Sequence, residues 1–192
     1  REKVISKEDM EAALKEIDCQ LQQGINTLTN YLEWAQNQKN EIRADMESVR
    51  LIDILEDSVN EMKKSAEQKN VRIINRADPE IAVSADPHMM SVILRNLLSN
   101  AVKFVDEGGT VMIETKENDD LAELSISDDG KGIEPEKLKT IFEPFKQVSR
   151  GTKGEVGTGL GLSICSDFMQ KQGGEISCES KPGEGTTFTL RL

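Results

Sequence analysis

The sequence predicts an α/β fold: a two-layer sandwich in which helices cover one face of a mixed β-sheet, preceded by one long N-terminal helix. Three observations support this prediction. Apolar residues recur at helical spacing near the N-terminus, helix and strand patterns alternate after residue 40, and proline or glycine marks several of their boundaries. The 192 residues suffice for one domain with an appended helical segment. We therefore expect a helical segment over residues 1–40 and a larger domain over residues 41–192.

Composition and charge exclude several classes of protein. The chain has 24 basic and 35 acidic residues, a net charge of −11, which argues against nucleic-acid binding. No apolar run approaches the ~20 residues of a membrane span, so we do not expect insertion of this chain into a bilayer. Cys19, Cys165 and Cys178 lack metal-site spacing and are interpreted as reduced thiols of a cytoplasmic protein. The single histidine, His88, is expected on a helix surface, and one histidine is too few for most zinc sites and histidine-based triads.

The N-terminal segment carries a narrow apolar seam. Its apolar residues are spaced three or four apart, which predicts a helix over about residues 8–38. A helix of this length cannot bury its seam alone, so we expect a bundle or dimer partner, with packing against its own domain as the alternative. The seam consists of Met10, Leu14, Ile17, Leu21, Ile25, Leu28, Leu32 and Ala35.

After residue 40, local signals predict alternating helices and strands. Asp86 and Pro87 provide an N-cap and a first-turn proline for a helix that runs to about Val105. The period of apolar residues places the other elements, although it does not give the order of the strands. They are a helix around 52–66, strands at 71–75, 81–84, 110–116, 121–127, 175–179 and 186–192, and helices at 135–142 and 160–172.

The helix after Pro87 bears polar residues that packing does not explain. Asn96, Asn100 and Lys103 stand at i, i+4 and i+7 and share one stripe beside a broad apolar arc. Asparagine is a poor helix former, so two on one stripe of a core helix call for a reason. A solvated helix face is the simpler alternative, and a ligand site is favoured by the neighbouring motifs.

The strand ending at Asp128 places Leu124, Ile126 and Asp128 on one face, so its apolar side ends in a carboxylate. Gly130 and Gly132 follow at once and allow a ligand to approach the backbone. An inward carboxylate must be hydrogen-bonded, and it could accept a hydrogen bond from an exocyclic amine such as that of adenine. A turn with a solvated aspartate is the alternative.

A third motif lies at a predicted helix start, where residues 157–162 read Gly-Thr-Gly-Leu-Gly-Leu. Successive backbone N–H groups at a helix N-terminus can bind an anion. The motif is not a dinucleotide fingerprint, because Leu162 stands at the third glycine position, and no P-loop or HRD motif occurs. It therefore predicts a phosphate site outside those familiar nucleotide folds.

Together these segments resemble the catalytic ATP-binding domain of two-component sensor histidine kinases, in the superfamily of gyrase, heat-shock chaperone and MutL ATPases. Five segments between about residues 47 and 192 follow the order of that family. Residues 96–104 correspond to the N box, 128–133 to the first glycine box and 141–145 to the F box. Residues 157–162 correspond to the second glycine box, and 183–188 to the closing turn and strand. The resemblance implies a Bergerat-type ATP-binding fold, with ATP and Mg²⁺ as cofactors.

The resemblance also implies roles for individual residues. Asn100 would hold Mg²⁺, Asn96 would support the same site, and Lys103 would meet phosphate or ribose. Asp128 would read the adenine amine, and Phe104 would lie against the base. The other residues expected at the nucleotide are Gly130, Gly132, Ile133, Arg150, Lys153, Gly157, Thr158, Gly159, Leu160, Gly161 and Thr187.

Two further segments are interpreted through the same resemblance. The loop over residues 146–156 is similar to the family's mobile ATP lid. Phe142 and Phe145 of the F box would dock that lid or serve as plain core aromatics.

One departure from the superfamily bears on the reaction. Relatives that hydrolyse ATP carry a glutamate as general base at the position of Asn96, and a carboxamide cannot take that proton. We therefore expect slow hydrolysis and transfer of the γ-phosphate to a protein histidine, for relay to an aspartate of a response regulator receiver domain. The alternatives are a nucleotide-gated interaction module and a chaperone- or topoisomerase-like ATPase.

The family's acceptor histidine lies on the first helix of a dimeric bundle, and His88 is on the wrong element. The helix over residues 8–38 resembles the second helix of that bundle. We therefore expect the chain to bind ATP without phosphorylating itself, and its parent to form a homodimer through this helix. Membrane attachment of the parent stays open.

Overall fold

The computed structural model describes residues 43–118, 121–146, 151–153, 155 and 157–192, together with eight positions before residue 43. The elements alternate as the sequence predicts. The strands are β1 (Glu47–Arg50), β2 (Arg72–Arg76), β3 (Ala82–Ala85), β4 (Thr110–Asn118), β5 (Leu121–Asp128), β6 (Glu175–Lys181) and β7 (Gly185–Arg191). The helices are α1 (Leu51–Gln68), α2 (Pro87–Phe104), α3 (Pro135–Leu138) and α4 (Gly161–Lys171).

Five strands form one mixed sheet in the order β2-β4-β5-β7-β6. Strand β2 runs parallel to β4, and the other neighbours are antiparallel. Strands β1 and β3 pair separately as a small antiparallel ribbon. The predicted mixed sheet is therefore confirmed, and its central strand is β5.

Helices cover one face of this sheet. Leu124 and Ile126 of β5 are at most 1% exposed, and the alternate residues Ser125 and Ser127 are half-buried on the opposite face. Helix α2 lies at the centre of the helical layer, between α1 and α4. Its buried residues are Met89, Met90, Val92, Ile93, Leu94, Leu97, Leu98, Ala101 and Val102.

Several boundaries differ from the predictions. Strand β1 was not predicted, because four residues with one apolar side chain carry little periodicity. The short helix stops at Leu138 instead of residue 142, since the next residues include weak helix formers and Pro144 disfavours a helical Glu143. Strand β4 extends to Asn118 instead of residue 116, so the turn between it and β5, which begins at Leu121 as predicted, is shorter than expected.

Part of the predicted N-terminal helix is described. Met10, Leu14, Ile17, Leu21, Gly24, Ile25, Leu28 and Leu32 have helical backbones, and the apolar side chains among them are 52–67% exposed. The rest of the predicted helix, including Ala35, lies outside the described residues. Among the described residues there is no helix with the length and hydropathy to span a membrane.

Asp86 fixes the start of α2. One carboxylate oxygen accepts a hydrogen bond from Met89 N at 3.0 Å, and the other accepts one from Asp45 N at 2.9 Å. Substitution of Asp86 by Ala removes both, so we expect a loss of about 1–2 kcal/mol in the free energy of unfolding. Urea denaturation measures it. Asp78→Ala, which removes an exposed turn contact to Glu80 N, is the matched control and should change stability by less than about 0.5 kcal/mol.

Candidate functional site

The polar stripe of α2 lies at the edge of the helical layer. Asn96, Asn100 and Lys103 are all half-buried. Asn96 Nδ2 donates to Val92 O one turn earlier, at 2.9 Å, which directs its Oδ1 away from the helix backbone. In the described part of the chain, the carboxamide of Asn100 makes no hydrogen bond. Half-buried amides normally have hydrogen-bond partners, so the unpaired carboxamide of Asn100 is available to a ligand.

The glycine loop after β5 contacts the C-terminal end of α2. Lys131 N donates to Phe104 O at 3.3 Å. A Cβ atom added to Gly130 would lie 2.5 Å from Phe104 O and 2.8 Å from Asp128 Oδ1. The helix end and the strand carboxylate therefore meet around Gly130, where only a residue without a side chain fits.

Asp128 is the most strongly perturbed acid of this region. Burial raises the pKa of its carboxyl to about 6, and the charge of Asp129 acts in the same direction. Hydrogen bonds from the backbone N–H groups of Gly130 and Thr186 act in the opposite direction. The carboxylate is thus held in place by main-chain donors while it remains largely desolvated.

The β6–β7 hairpin closes the other side of Asp128. Gly132 and Gly185 have φ angles of +66° and +97°, and a Cβ on either would collide with the backbone of Lys181 or of Asp128. Ile133 N donates to Ser180 Oγ at 2.9 Å, which ties the glycine loop to the hairpin. The wall beside Asp128 is therefore built largely from backbone.

The second glycine segment contacts α2 as well. A Cβ at Gly161 would lie 2.5 Å from Asn96 Oδ1. Gly159 O accepts a hydrogen bond from Phe145 N at 2.9 Å, so the F box contacts the same segment. Thr158 Oγ1 accepts from Leu160 N, and the side chain of Leu160 is fully buried in the core. Any nucleotide contact by Leu160 would therefore use its backbone.

Lys103 and Phe104 form the charged end of the site. The ammonium groups of Lys103 and Lys131 lie 5.0 and 4.8 Å from the centre of the Phe104 ring. Burial lowers the pKa of Lys103, the nearby carboxylate of Glu155 raises it, and Lys131 and Lys69 lower it. Several cations therefore converge at this end of α2, as an anionic ligand would require.

The side chains of two predicted site residues contact other parts of the domain. A third predicted site residue lies outside the described residues. Thr187 bonds Ser127 Oγ at 2.9 Å on the sheet face opposite Asp128, whereas Thr186 is buried beside Asp128. Strand periodicity with Phe188 would have identified Thr186. Lys153 Nζ donates to Gln68 O at the end of α1. Arg150 lies outside the described residues.

The cysteine prediction holds where the structure describes it. Cys165 is buried and Cys178 is half-buried, and neither forms a disulfide among the described residues. Burial raises the pKa of Cys178 to about 12, with the negative charge of Asp128 acting in the same direction. Its thiol is therefore protonated and unreactive at neutral pH. Cys19 lies outside the described residues.

Sequence comparison identifies the family. A family model described as "Histidine kinase-, DNA gyrase B-, and HSP90-like ATPase" matches residues 85–192, more than half of the chain. The chain belongs to this family. Within it, the chain is the catalytic ATP-binding domain of a two-component sensor histidine kinase, as the resemblance predicts.

Curated relatives support this assignment. The chain is 37% identical to sensor histidine kinase RcsC of Escherichia coli K12 over 116 residues, which is 60% of this chain and 12% of RcsC. It is 41% identical to histidine protein kinase DivJ of Caulobacter vibrioides over 113 residues, 59% of this chain and 19% of DivJ. The chain spans only 12% to 31% of the length of such relatives.

Solved structures agree with the kinase domain fold. The catalytic domain of histidine kinase ThkA superimposes with a TM-score of 0.68 at 25% identity, covering 77% of this chain and 95% of that chain. Full-length ShkA, solved in complex with AMPPNP, gives a TM-score of 0.78 at 27% identity. That match covers 99% of this chain and 40% of ShkA.

The raised pKa of Asp128 generates a stability prediction. The unfolded chain releases this proton near pH 3.8 and the folded chain near pH 6, so ionisation of Asp128 costs stability. That cost is absent below pH 3.8 and complete above pH 6. In Asp128→Asn the amide oxygen still accepts from Gly130 N without carrying a charge.

We therefore expect Asp128→Asn, without nucleotide, to gain on the order of 1–3 kcal/mol in unfolding free energy at pH 8 and to gain nothing at pH 3.5. Urea denaturation at the two pH values measures the difference. A gain of the same size at both would show that burial of the charge is not its cause.

Proposed function

We propose that this kinase domain binds Mg²⁺-ATP between α2, the glycine loop after β5 and the second glycine segment, and transfers the γ-phosphate to a histidine of a separate acceptor helix. The phosphoryl group would then pass to an aspartate of a response regulator receiver domain. The observation that carries the proposal is the meeting of Asp128 and the end of α2 around Gly130, together with the contact between Asn96 of the polar stripe and Gly161.

Asp128 is the proposed adenine ligand. Its ionised carboxylate accepts hydrogen bonds only, which suits the exocyclic amine of adenine. Main-chain donors fix its orientation, so little ordering is left for the binding step. Phe104 offers an aromatic surface for the base. The adjoining backbone is that of Gly130, Gly132 and Ile133. On the hairpin, the residue beside the carboxylate is Thr186 and not the predicted Thr187.

The residues present fit a magnesium ion that is bound through ATP. Among the described residues there is no cluster of three or more histidine, cysteine or acidic side chains that could hold a metal. Asn100 supplies a single unpaired amide oxygen, and Mg²⁺ commonly takes one or two protein ligands together with phosphates and water. When bound, the ion would neutralise charge on the phosphates. Lys103 and the backbone N–H groups at residues 157–161 would bind the same phosphates.

Asn96 favours transfer over hydrolysis. The Nδ2 atom of Asn96 donates a hydrogen bond within α2, and its Oδ1 atom lies against the start of α4. The side chain of Asn96 therefore lies between the two helices. A carboxamide cannot take a proton from water. The described site brings no carboxylate to this position, and we expect slow release of free phosphate.

The exposed seam of the N-terminal segment fits a bundle helix in a cytoplasmic homodimer. Seven apolar side chains at heptad-like spacing are more than half exposed, an apolar stripe that a partner helix would bury. A histidine kinase of similar fold, ThkA, has been crystallised with the response regulator TrrA. By analogy, residues 1–40 would be half of the dimerisation and phosphotransfer hairpin.

A transfer assay tests this proposal. The chain is incubated with γ-labelled ATP, Mg²⁺ and a separately produced hairpin protein that contains an acceptor histidine from a kinase of this class. We expect acid-labile label on the hairpin, no label on the chain, and little free phosphate. Asn100→Ala should lower the transfer rate by at least about a hundredfold, because the metal-bound phosphates lose their protein ligand.

The other outcomes separate the alternatives. ATP binding without transfer to any hairpin would identify a nucleotide-gated interaction module. Rapid free phosphate that persists in Asn96→Ala would identify an ATPase of the chaperone or topoisomerase kind. Stoichiometric acid-labile label on the chain itself would show that the acceptor had been misplaced.

A further inference from the structure

A lysine outside the nucleotide motifs is buried beneath the charged end of the site. Lys69 directly follows α1 and is only 3% exposed. Its Nζ donates to Val102 O at 2.9 Å and to Lys103 O at 2.8 Å. These carbonyls belong to the last turn of α2. Carbonyls in the last turn of a helix receive no hydrogen bond from a later helical N–H group, and they favour a nearby cation.

A carboxylate from the loop before the second glycine segment faces the same ammonium. Glu155 Oε1 lies 3.5 Å from Lys69 Nζ. A buried charge is costly unless it is paired, and Glu155 is the carboxylate that the described part of the chain brings to it. Lys69 thus connects the end of α2 to that loop.

Glu155 also shapes the backbone around it. Gly151 N donates to Glu155 O at 2.8 Å, and Lys153 N donates to Glu155 Oε2 at 2.8 Å. These bonds close a turn, described at residues 151–153 and 155, which we name the docked turn. The carboxylate therefore pairs with Lys69 and closes the turn at the same time.

The docked turn is bonded to the end of α2. Thr152 N donates to Lys103 O at 3.1 Å, and its hydroxyl donates to Val105 O at 2.9 Å. A Cβ at Gly151 would lie 2.6 Å from Lys103 Cγ, so the turn packs directly on that side chain. The turn therefore restricts the side chain of Lys103, the cation proposed to meet the phosphates.

We propose that Lys69 and Glu155 are positioning residues for phosphate recognition. Their ion pair docks the turn on α2, and the docked turn holds Lys103 in the geometry that binds the phosphates of ATP. The inference rests on the nucleotide pocket proposed above, but it requires neither an acceptor histidine nor phosphoryl transfer.

Substitution of Glu155 separates this role from general stability. Glu155→Gln keeps an acceptor for Lys153 N but removes the ion pair, and Glu155→Ala removes both. We expect ATP binding with Mg²⁺, measured by calorimetry, to weaken about fivefold in the first variant and about tenfold or more in the second. Adenosine binding, measured by NMR titration, should stay within twofold, because Asp128 is untouched.

Further variants test the specificity and the coupling of these residues. Glu123→Gln removes one charge and an ion pair with Arg191 at the far end of the sheet, and it should change neither affinity. Lys69→Met should weaken ATP binding as Glu155→Ala does, and the double variant should be no weaker than either single variant. In a Lys103→Met background, Glu155→Gln should have no further effect.

Amide exchange checks the structural step. In Glu155→Ala the N–H groups of Gly151 and Thr152 should lose protection, whereas those in the middle of α2 should keep theirs.

The opposite results overturn the inference. Unchanged ATP affinity in Glu155→Ala would show that the docked turn does not position Lys103. Tighter ATP binding in Glu155→Gln would show that the carboxylate competes with the phosphates instead. Equal loss of ATP and adenosine binding would indicate a purely structural effect. Failure of the unmodified chain to bind ATP would refute the proposed pocket itself, along with the inference.

Discussion

The structure depends on keeping one charged group, the carboxylate of Asp128, at the end of a buried strand. Water is largely excluded there, so the charge is tolerated only because backbone donors from two segments converge on it. Those donors require the glycine loop and the β6–β7 hairpin to approach at backbone distance. The positions of Gly130, Gly132 and Gly185 follow from this single requirement.

Helix α2 links that constraint to the rest of the domain. Half of its surface forms the centre of the core, and its polar stripe faces the glycine segments. Because one rigid helix carries both, the spacing between Asn96, Asn100 and Lys103 is fixed by the same packing that stabilises the fold. Asp86 sets where the helix begins and Lys69 binds where it ends, so both ends of the helix that carries the stripe are anchored.

The sequence predicted what depends on periodicity and local turn chemistry. The inward face of β5, the start of α2 at Pro87 and the grouping of three polar side chains follow from spacing alone, and the structure agrees. Contacts between distant segments have no local signal. The pairing order of the strands, the ion pair of Lys69 with Glu155 and the closeness of Gly161 to Asn96 became visible only in three dimensions. The resemblance implied Thr187, whereas strand alternation with Phe188 places Thr186 on the face of Asp128.

The backbone wall beside Asp128 has a consequence for the choice of base. This wall is backbone held in tight glycine turns, so its shape is fixed. It has few side chains that could rearrange to bind a different purine ring. In the proposed pocket, guanine would turn its carbonyl oxygen toward the carboxylate where adenine presents an amine, and two acceptors would then oppose each other. Preference for ATP over GTP would therefore rest mainly on a single side chain, the carboxylate of Asp128.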